Sequence, residues 1–223
     1  MKRLTTILAC ALLSFAAAAQ SYSPTTTWPY MYPDFTEGEI LAQDGSRKAA
    51  LLNVSLVHST LHFIDKEFIK EVPSGTVFSV RIGSDYYINA GGRLMKILAQ
   101  NDNGYVAEST EIDIVKLNST DAAYGSSSTT LGTMALSSLE GIGATNSSTN
   151  INHMELKNGK EDGKTLPLIQ KKYLFVKGNI VYAAKKDVSE VSDPAELKAF
   201  LKANKIKWNN PQSLLTVVDF LAK

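Results

Sequence analysis

Between residues 37 and 117, short runs rich in β-branched and aromatic residues alternate with turn residues. Asp44-Gly45 and Gly91-Gly92 are two of these turns. Both pairs favour tight hairpins, because glycine readily adopts the positive φ angles that two-residue turns require. Runs of this kind at intervals of about 8–12 residues are typical of antiparallel sheets. The predicted fold class is therefore mainly β, either an antiparallel sandwich or an open barrel.

Two further patterns extend this prediction toward the C-terminus. Ile112 and Ile114 alternate with acidic residues, which predicts that the strand starting near residue 105 runs on to Leu117. After residue 164, the runs TLPLIQKKYLFVKG and NIVYAA meet at Gly178-Asn179, which predicts another hairpin.

The C-terminus carries two helix-start signals. Asp193-Pro194 and Asn210-Pro211 each combine a capping residue with proline at the first helical position. After the second signal, apolar residues follow at helical spacing: Leu214, Val217, Val218 and Leu221. Neither helix is long enough to be stable alone in water, so we predict that the two helices dock on each other or on the sheet.

The predicted organisation has four parts. Residues 1–19 are a signal peptide, and residues 20–36 are an extended arm rich in proline and aromatic residues. Residues 37–184 form a β-rich domain interrupted by a long loop at 118–150, which is rich in Ser, Thr, Gly and Ala. Long loops of this composition are usually functional or disordered. Residues 185–223 form the C-terminal helix pair.

The N-terminus has the charged, apolar and small-residue order of a secretory signal. Ala17-Ala18-Ala19 fits the small-residue rule for cleavage, so we predict a mature chain that starts at Gln20. Ile7-Leu8-Ala9-Cys10 loosely resembles a lipoprotein cleavage site, but it leaves an apolar region shorter than the usual minimum of about 7 residues. The sequence therefore predicts export to the periplasm or the inner face of the outer membrane, without a lipid anchor at Cys10.

Composition excludes several function classes for the mature chain. Cys10 is the only cysteine and leaves with the signal, so no disulfide or thiol chemistry remains. Removing Lys2 and Arg3 leaves 21 of the 23 basic residues against 22 acidic ones. A chain with this balance has no excess of positive charge with which to bind nucleic acid. No later stretch reaches the length of about 20 apolar residues that a membrane-spanning helix needs.

The arm supplies the candidate binding residues Trp28, Tyr30 and Tyr32. They form either a strip that binds a sugar or peptide, or a set of anchors that pin the arm to the body. The second interpretation is favoured, because aromatic side chains mostly supply buried area.

Catalytic and metal-binding patterns are weak. His58 and His62 lie close enough in sequence to meet, with Asp65 as a third ligand, but zinc ligands are usually clustered more tightly. Asp65 and Glu67 have the residue types of a glycosidase acid pair, yet they flank a turn. His153 is isolated, and no HExxH, phosphate-loop or GxSxG motif is present. We predict no catalytic residue, no metal ligand and no cofactor.

Four features together resemble a family of uncharacterised exported proteins of Bacteroidetes. They are a signal ending in Ala-Gln, the stretch GEILAQDGSRKAALLNVSL with LHFIDKE, the stretch AAYGSSSTT, and the ending FLKANKIKWNNPQSLLTVVDFLAK. The resemblance implies an envelope location and a shared architecture, and it assigns no site.

These observations predict an exported envelope protein that is a non-catalytic binding or structural module. Its partner is an unidentified envelope protein or glycan, and an extended partner could pair with an open sheet edge. The alternative is a hydrolase acting on envelope sugars or peptides. A pocket of convergent polar side chains favours the hydrolase, and an exposed sheet favours binding.

Overall fold

The computed structural model describes residues 29–116, 151–152 and 166–223. The signal peptide, Trp28, His153 and the predicted loop at 118–150 lie outside these ranges. Within them the protein is mainly β, an open antiparallel sheet followed by C-terminal helices. The predicted fold class, mainly β with C-terminal helices, is confirmed, and the described strands form one open sheet.

Ten strands and one two-residue segment form the described sheet. The strands are β1 (Thr36–Ala42), β2 (Arg47–Ser55), β3 (Thr60–Asp65), β4 (Phe68–Glu71), β5 (Val77–Ile82), β6 (Asp85–Ala90), β7 (Arg93–Asn101), β8 (Gly104–Ile112), the segment β9 (Ile151–Asn152), β10 (Leu168–Val176) and β11 (Asn179–Tyr182). Their order across the sheet is β11-β10-β8-β7-β6-β5-β1-β2-β3-β4-β9, and every described pair is antiparallel.

Strand β8 ends earlier than the sequence pattern predicted. The strand stops at Ile112, and the backbone of residues 114–116 is helical. The cause is Asp113, whose Oδ1 accepts a hydrogen bond of 2.9 Å from the backbone N–H of Lys116. This bond satisfies a donor that the start of a helix leaves free. Ile114 therefore does not continue the strand.

The sheet curls until the β2–β3 turn reaches β7 and β8. Leu94 N–H donates to the Ser59 carbonyl at 2.7 Å, and Ser59 Oγ donates back to the Leu94 carbonyl at the same distance. Ile112 N–H donates to the Leu56 carbonyl at 2.7 Å. The curl encloses the first hydrophobic core, in which Leu52, Val54, Val80 and Ile82 are buried.

Three helices follow the sheet: α1 (Lys185–Glu190), α2 (Pro194–Ala203) and α3 (Pro211–Leu221). Both predicted caps are confirmed. Asp193 Oδ1 accepts from the backbone N–H groups of Ala195 and Glu196, each at 2.9 Å, and Asn210 Oδ1 accepts from Ser213 at 3.0 Å. Helix α1 was not predicted, because Ala184 at its N-terminus provides no capping side chain.

The helices and the β7–β8–β10–β11 part of the sheet share a second core. Leu214, Val217 and Val218 of α3 are fully buried in it, as the helical spacing predicted. Phe200 and Phe220 stack with ring centroids 4.4 Å apart, and Trp208 is partly buried in the same cluster. The last helix is therefore part of the fold.

Candidate functional site

The aromatic arm is built into the body as far as it is described. Tyr30 is 0% exposed and Tyr32 is 9% exposed. The backbone of the arm extends the β2 ladder, since Met31 N–H donates to the Val54 carbonyl at 2.8 Å and Leu56 N–H donates to the Pro29 carbonyl at 2.9 Å. This burial supports the anchoring interpretation. A partner reaches the Tyr30 ring only if the arm leaves the body.

His62 ties the arm to the sheet. Its Nδ1 lies 2.8 Å from the Tyr30 hydroxyl. Its Nε2 lies 3.4 Å from Glu71 Oε2 and 3.3 Å from Thr60 Oγ1. Burial lowers the pKa of His62, and the hydrogen bond from His62 lowers the pKa of Glu71. The imidazole is buried and both of its ring nitrogens have polar partners, so its role is structural.

The other candidate ligands do not join His62. The side chain of His58 is exposed, and Asp65 forms an ion pair with Lys70. Glu67 is exposed in the turn between β3 and β4. Among the described residues, no three His, Cys, Asp or Glu side chains are grouped closely enough to hold a metal ion.

We expect stability to fall as the pH drops below about 6.5, the ordinary pKa of histidine. The folded state holds His62 with a lowered pKa, so the unfolded state binds the proton more readily and is favoured by acid. Glu71 adds a loss in the same direction below about pH 4.5, its ordinary pKa, because its folded pKa is also lowered. Urea unfolding at pH 7 and pH 5 measures the effect. His62→Gln should flatten the change between these two pH values. An equal change in the variant would contradict the assignment to His62.

The outer sheet face carries a cluster of aromatic rings that was not predicted from the sequence. Tyr105, Tyr173, Phe175 and Tyr182, called here the aromatic face, lie on the side of β8, β10 and β11 opposite the described helices. The rings of Tyr105 and Phe175 stack at 4.6 Å, and those of Tyr173 and Tyr182 meet edge to face at 5.6 Å. Tyr182 is 40% exposed, and its neighbour Ile180 is 49% exposed.

Lysines border this face. Lys171 lies two residues before Tyr173 on β10, so it projects from the same side, opposite Ser109 of β8. Its side chain is exposed and has no ion-pair partner among the described residues. Lys177 and Lys185, both exposed, flank the two ends of β11. The border of the aromatic face is therefore positively charged.

The inner sheet face carries a half-buried row of charges. Lys96 Nζ lies 2.7 Å from Asp85 Oδ2, and Lys172 Nζ lies 2.7 Å from Glu108 Oε2. Lys96 and Glu108 are register partners on β7 and β8, so the two ion pairs are neighbours. The Tyr32 hydroxyl donates to Asp85 at 2.7 Å. This row contains two carboxylates, each paired with a lysine.

Part of the aromatic face could be predicted from the spacing of residues in the sequence. Tyr173 and Phe175 are two residues apart in KKYLFV, and this spacing places both on one face of a strand. Their partners Tyr105 and Tyr182 depend on the register of β8 and β11, which the sequence does not state. The charged row depends on register in the same way.

Within the described part of the chain, no helix is both long and apolar enough to cross a membrane. Comparison of the chain with protein-family profiles, with curated protein sequences and with solved structures finds no match.

Proposed function

We propose that this chain is an exported envelope protein, a non-catalytic binding module whose partner lies against the aromatic face. The observation that carries the proposal is the exposure of Tyr182 and Ile180 beside two further tyrosines and Phe175. Clustered apolar groups at a surface with a polar border are typical of binding sites. The partner is an envelope protein or a glycan.

The open edge of the sheet is a less suitable site than the face. Strand β11 has only four residues, and Lys177 and Lys185 flank it. Short edge strands and lysine are features with which proteins prevent edge pairing. An added strand would gain few backbone hydrogen bonds there.

The proposed location is the periplasm or the inner face of the outer membrane. It is supported by the signal-like N-terminus and by the resemblance to exported Bacteroidetes proteins. Protein purified from its native envelope should begin at Gln20 and carry no acyl group. An acylated chain beginning at Cys10 would contradict this assignment.

A hydrolase is the second candidate, because Lys96 pairs with Asp85 and lies opposite Glu108, which puts both carboxylates in one row on the inner face. Glycoside hydrolysis needs one protonated carboxyl group and one ionised group. Asp85 and Glu108 are instead each held in an ion pair, with Lys96 and Lys172 respectively. Release of new reducing ends from envelope polysaccharide, abolished by Glu108→Gln, would support the hydrolase instead.

Co-sedimentation with envelope fragments tests the binding module. We expect the mature protein to sediment with the fragments and Tyr182→Ala to stay largely in solution. Phe78→Ala is the matched control, because Phe78 is 55% exposed but lies on β5, outside the aromatic face. Equal sedimentation of the two variants would contradict a role for the face.

A further inference from the structure

We infer that the aromatic face binds an acidic glycan, a chain of sugar rings that carry carboxylate groups. This inference rests on the proposed binding function and names the class of ligand.

The size of the face favours a narrow ligand. It crosses the three neighbouring strands β8, β10 and β11, a width of about 10 Å at the usual strand spacing. Its two rows of side chains, Ala107–Tyr173–Tyr182 and Tyr105–Phe175–Ile180, are about 7 Å apart along the strands. A stable protein interface needs about 800 Å² on each partner. The face is smaller than that, so it suits a single extended chain better than a folded protein or a second copy of this chain.

The groups on the face favour sugar over peptide. The backbone groups of β8 and β10 are already engaged in the sheet ladder, so a peptide lying across the face finds few main-chain partners. A sugar ring presents an apolar C–H surface to an aromatic ring and hydroxyl groups to its edge. Tyrosine matches both, because it combines an apolar ring with a hydroxyl that donates and accepts.

The charge of the border favours an acidic sugar. Lys171 places an exposed ammonium group beside Tyr173. Glu111, on the same face of β8, lies 3.0 Å from Arg93 in an ion pair, although this oxygen makes no well-directed hydrogen bond. Lysine binds a carboxylate as a compact point charge. A ring that stacks on Tyr173 therefore brings its carboxylate within reach of Lys171.

A lipid surface fits less well. Phe175 is nearly buried and Ala107 fully so, whereas Tyr182 and Ile180 are much more exposed, so the face is uneven. A flat bilayer contacts only the more exposed residues, whereas a thin chain enters between them.

The test measures binding at low salt to polygalacturonate, alginate and hyaluronate. Fully methyl-esterified polygalacturonate is the uncharged matched control. We expect binding to at least one acidic glycan, with the ester bound about tenfold more weakly than its acid if polygalacturonate is the one bound. Tyr173→Ala and Tyr182→Ala should each weaken binding about tenfold. Lys171→Ala should remove the preference for acid, and Lys198→Ala, an exposed lysine on α2, should change nothing. Thermal melts of each variant confirm that it is folded.

The inference is overturned if none of the three acidic glycans binds, or if polygalacturonate binds and its methyl ester binds equally well. It is also overturned if Lys198→Ala weakens binding as much as Lys171→Ala. Binding only to phosphatidylglycerol vesicles also overturns it. If sedimentation with envelope fragments still depends on Tyr182, the proposed binding function is retained and only the acidic glycan is rejected as its ligand. Sedimentation that does not depend on Tyr182 removes the proposed function itself.

Discussion

Val218→Asp is expected to lower the free energy of unfolding by about 3–5 kcal/mol, the usual cost of an unpaired buried charge. Val218 has no exposed surface and lies in α3 against the sheet, where the second core surrounds it. A carboxylate at this position loses its hydration, and the apolar cluster offers no compensating partner. Since total stabilities are about 5–15 kcal/mol, the variant should lose a large share of its stability and unfold at a much lower urea concentration.

Urea unfolding followed by circular dichroism and by tryptophan fluorescence measures this loss. Trp208 lies in the same cluster, so its emission reports on the docking of the helices. Gln212→Asp is the control, because Gln212 is exposed on the same helix. Equal midpoints for Val218→Asp and Gln212→Asp would mean that α3 does not pack on the sheet.

Gly104→Ala is expected to be similarly severe, with a loss of more than about 3 kcal/mol from strain and overpacking together. A Cβ atom at Gly104 would lie 2.0 Å from the backbone oxygen of Phe175 and 3.1 Å from Val218 Cγ1. The oxygen belongs to β10, so the clash is relieved only if β8 and β10 separate. Because Phe175 stacks on Tyr105, we also expect envelope binding to weaken.

Gly45→Ala is the matched control, because it measures the cost of replacing a glycine at a positive φ angle where the added Cβ atom meets no clash. Gly45 has a positive φ of 83°, but no atom lies within 4 Å of the added Cβ. Its cost should stay near the 1–2 kcal/mol that a left-handed residue with a side chain requires. The same urea experiment compares the two variants, and equal losses would show that β8 and β10 are not in close contact at Gly104.

Local signals predicted much of the fold. Turn pairs such as Asp44-Gly45 end their strands because glycine adopts positive φ there, and Asp193 and Asn210 begin their helices because their side chains cap free N–H groups. These effects act over a few residues, so the sequence displays them directly.

Features that depend on distant residues were not predictable. The bonds between Ser59 and Leu94, which close the curl, join positions 35 residues apart. The contact between the buried His62 and Tyr30 of the arm joins positions 32 residues apart, and sequence spacing does not reveal it. The candidate site also depends on distant residues, because Tyr105 meets Phe175 only through the register of β8 with β10.

Side-chain footprinting with hydroxyl radicals tests the central claim most directly. The oxidation rates of Tyr182 and Phe78 are measured with and without envelope fragments, because both rings are well exposed in the free protein. If the aromatic face is the binding surface, the fragments slow the oxidation of Tyr182 and leave Phe78 unchanged. Protection of Phe78 with an unchanged rate at Tyr182 would contradict it.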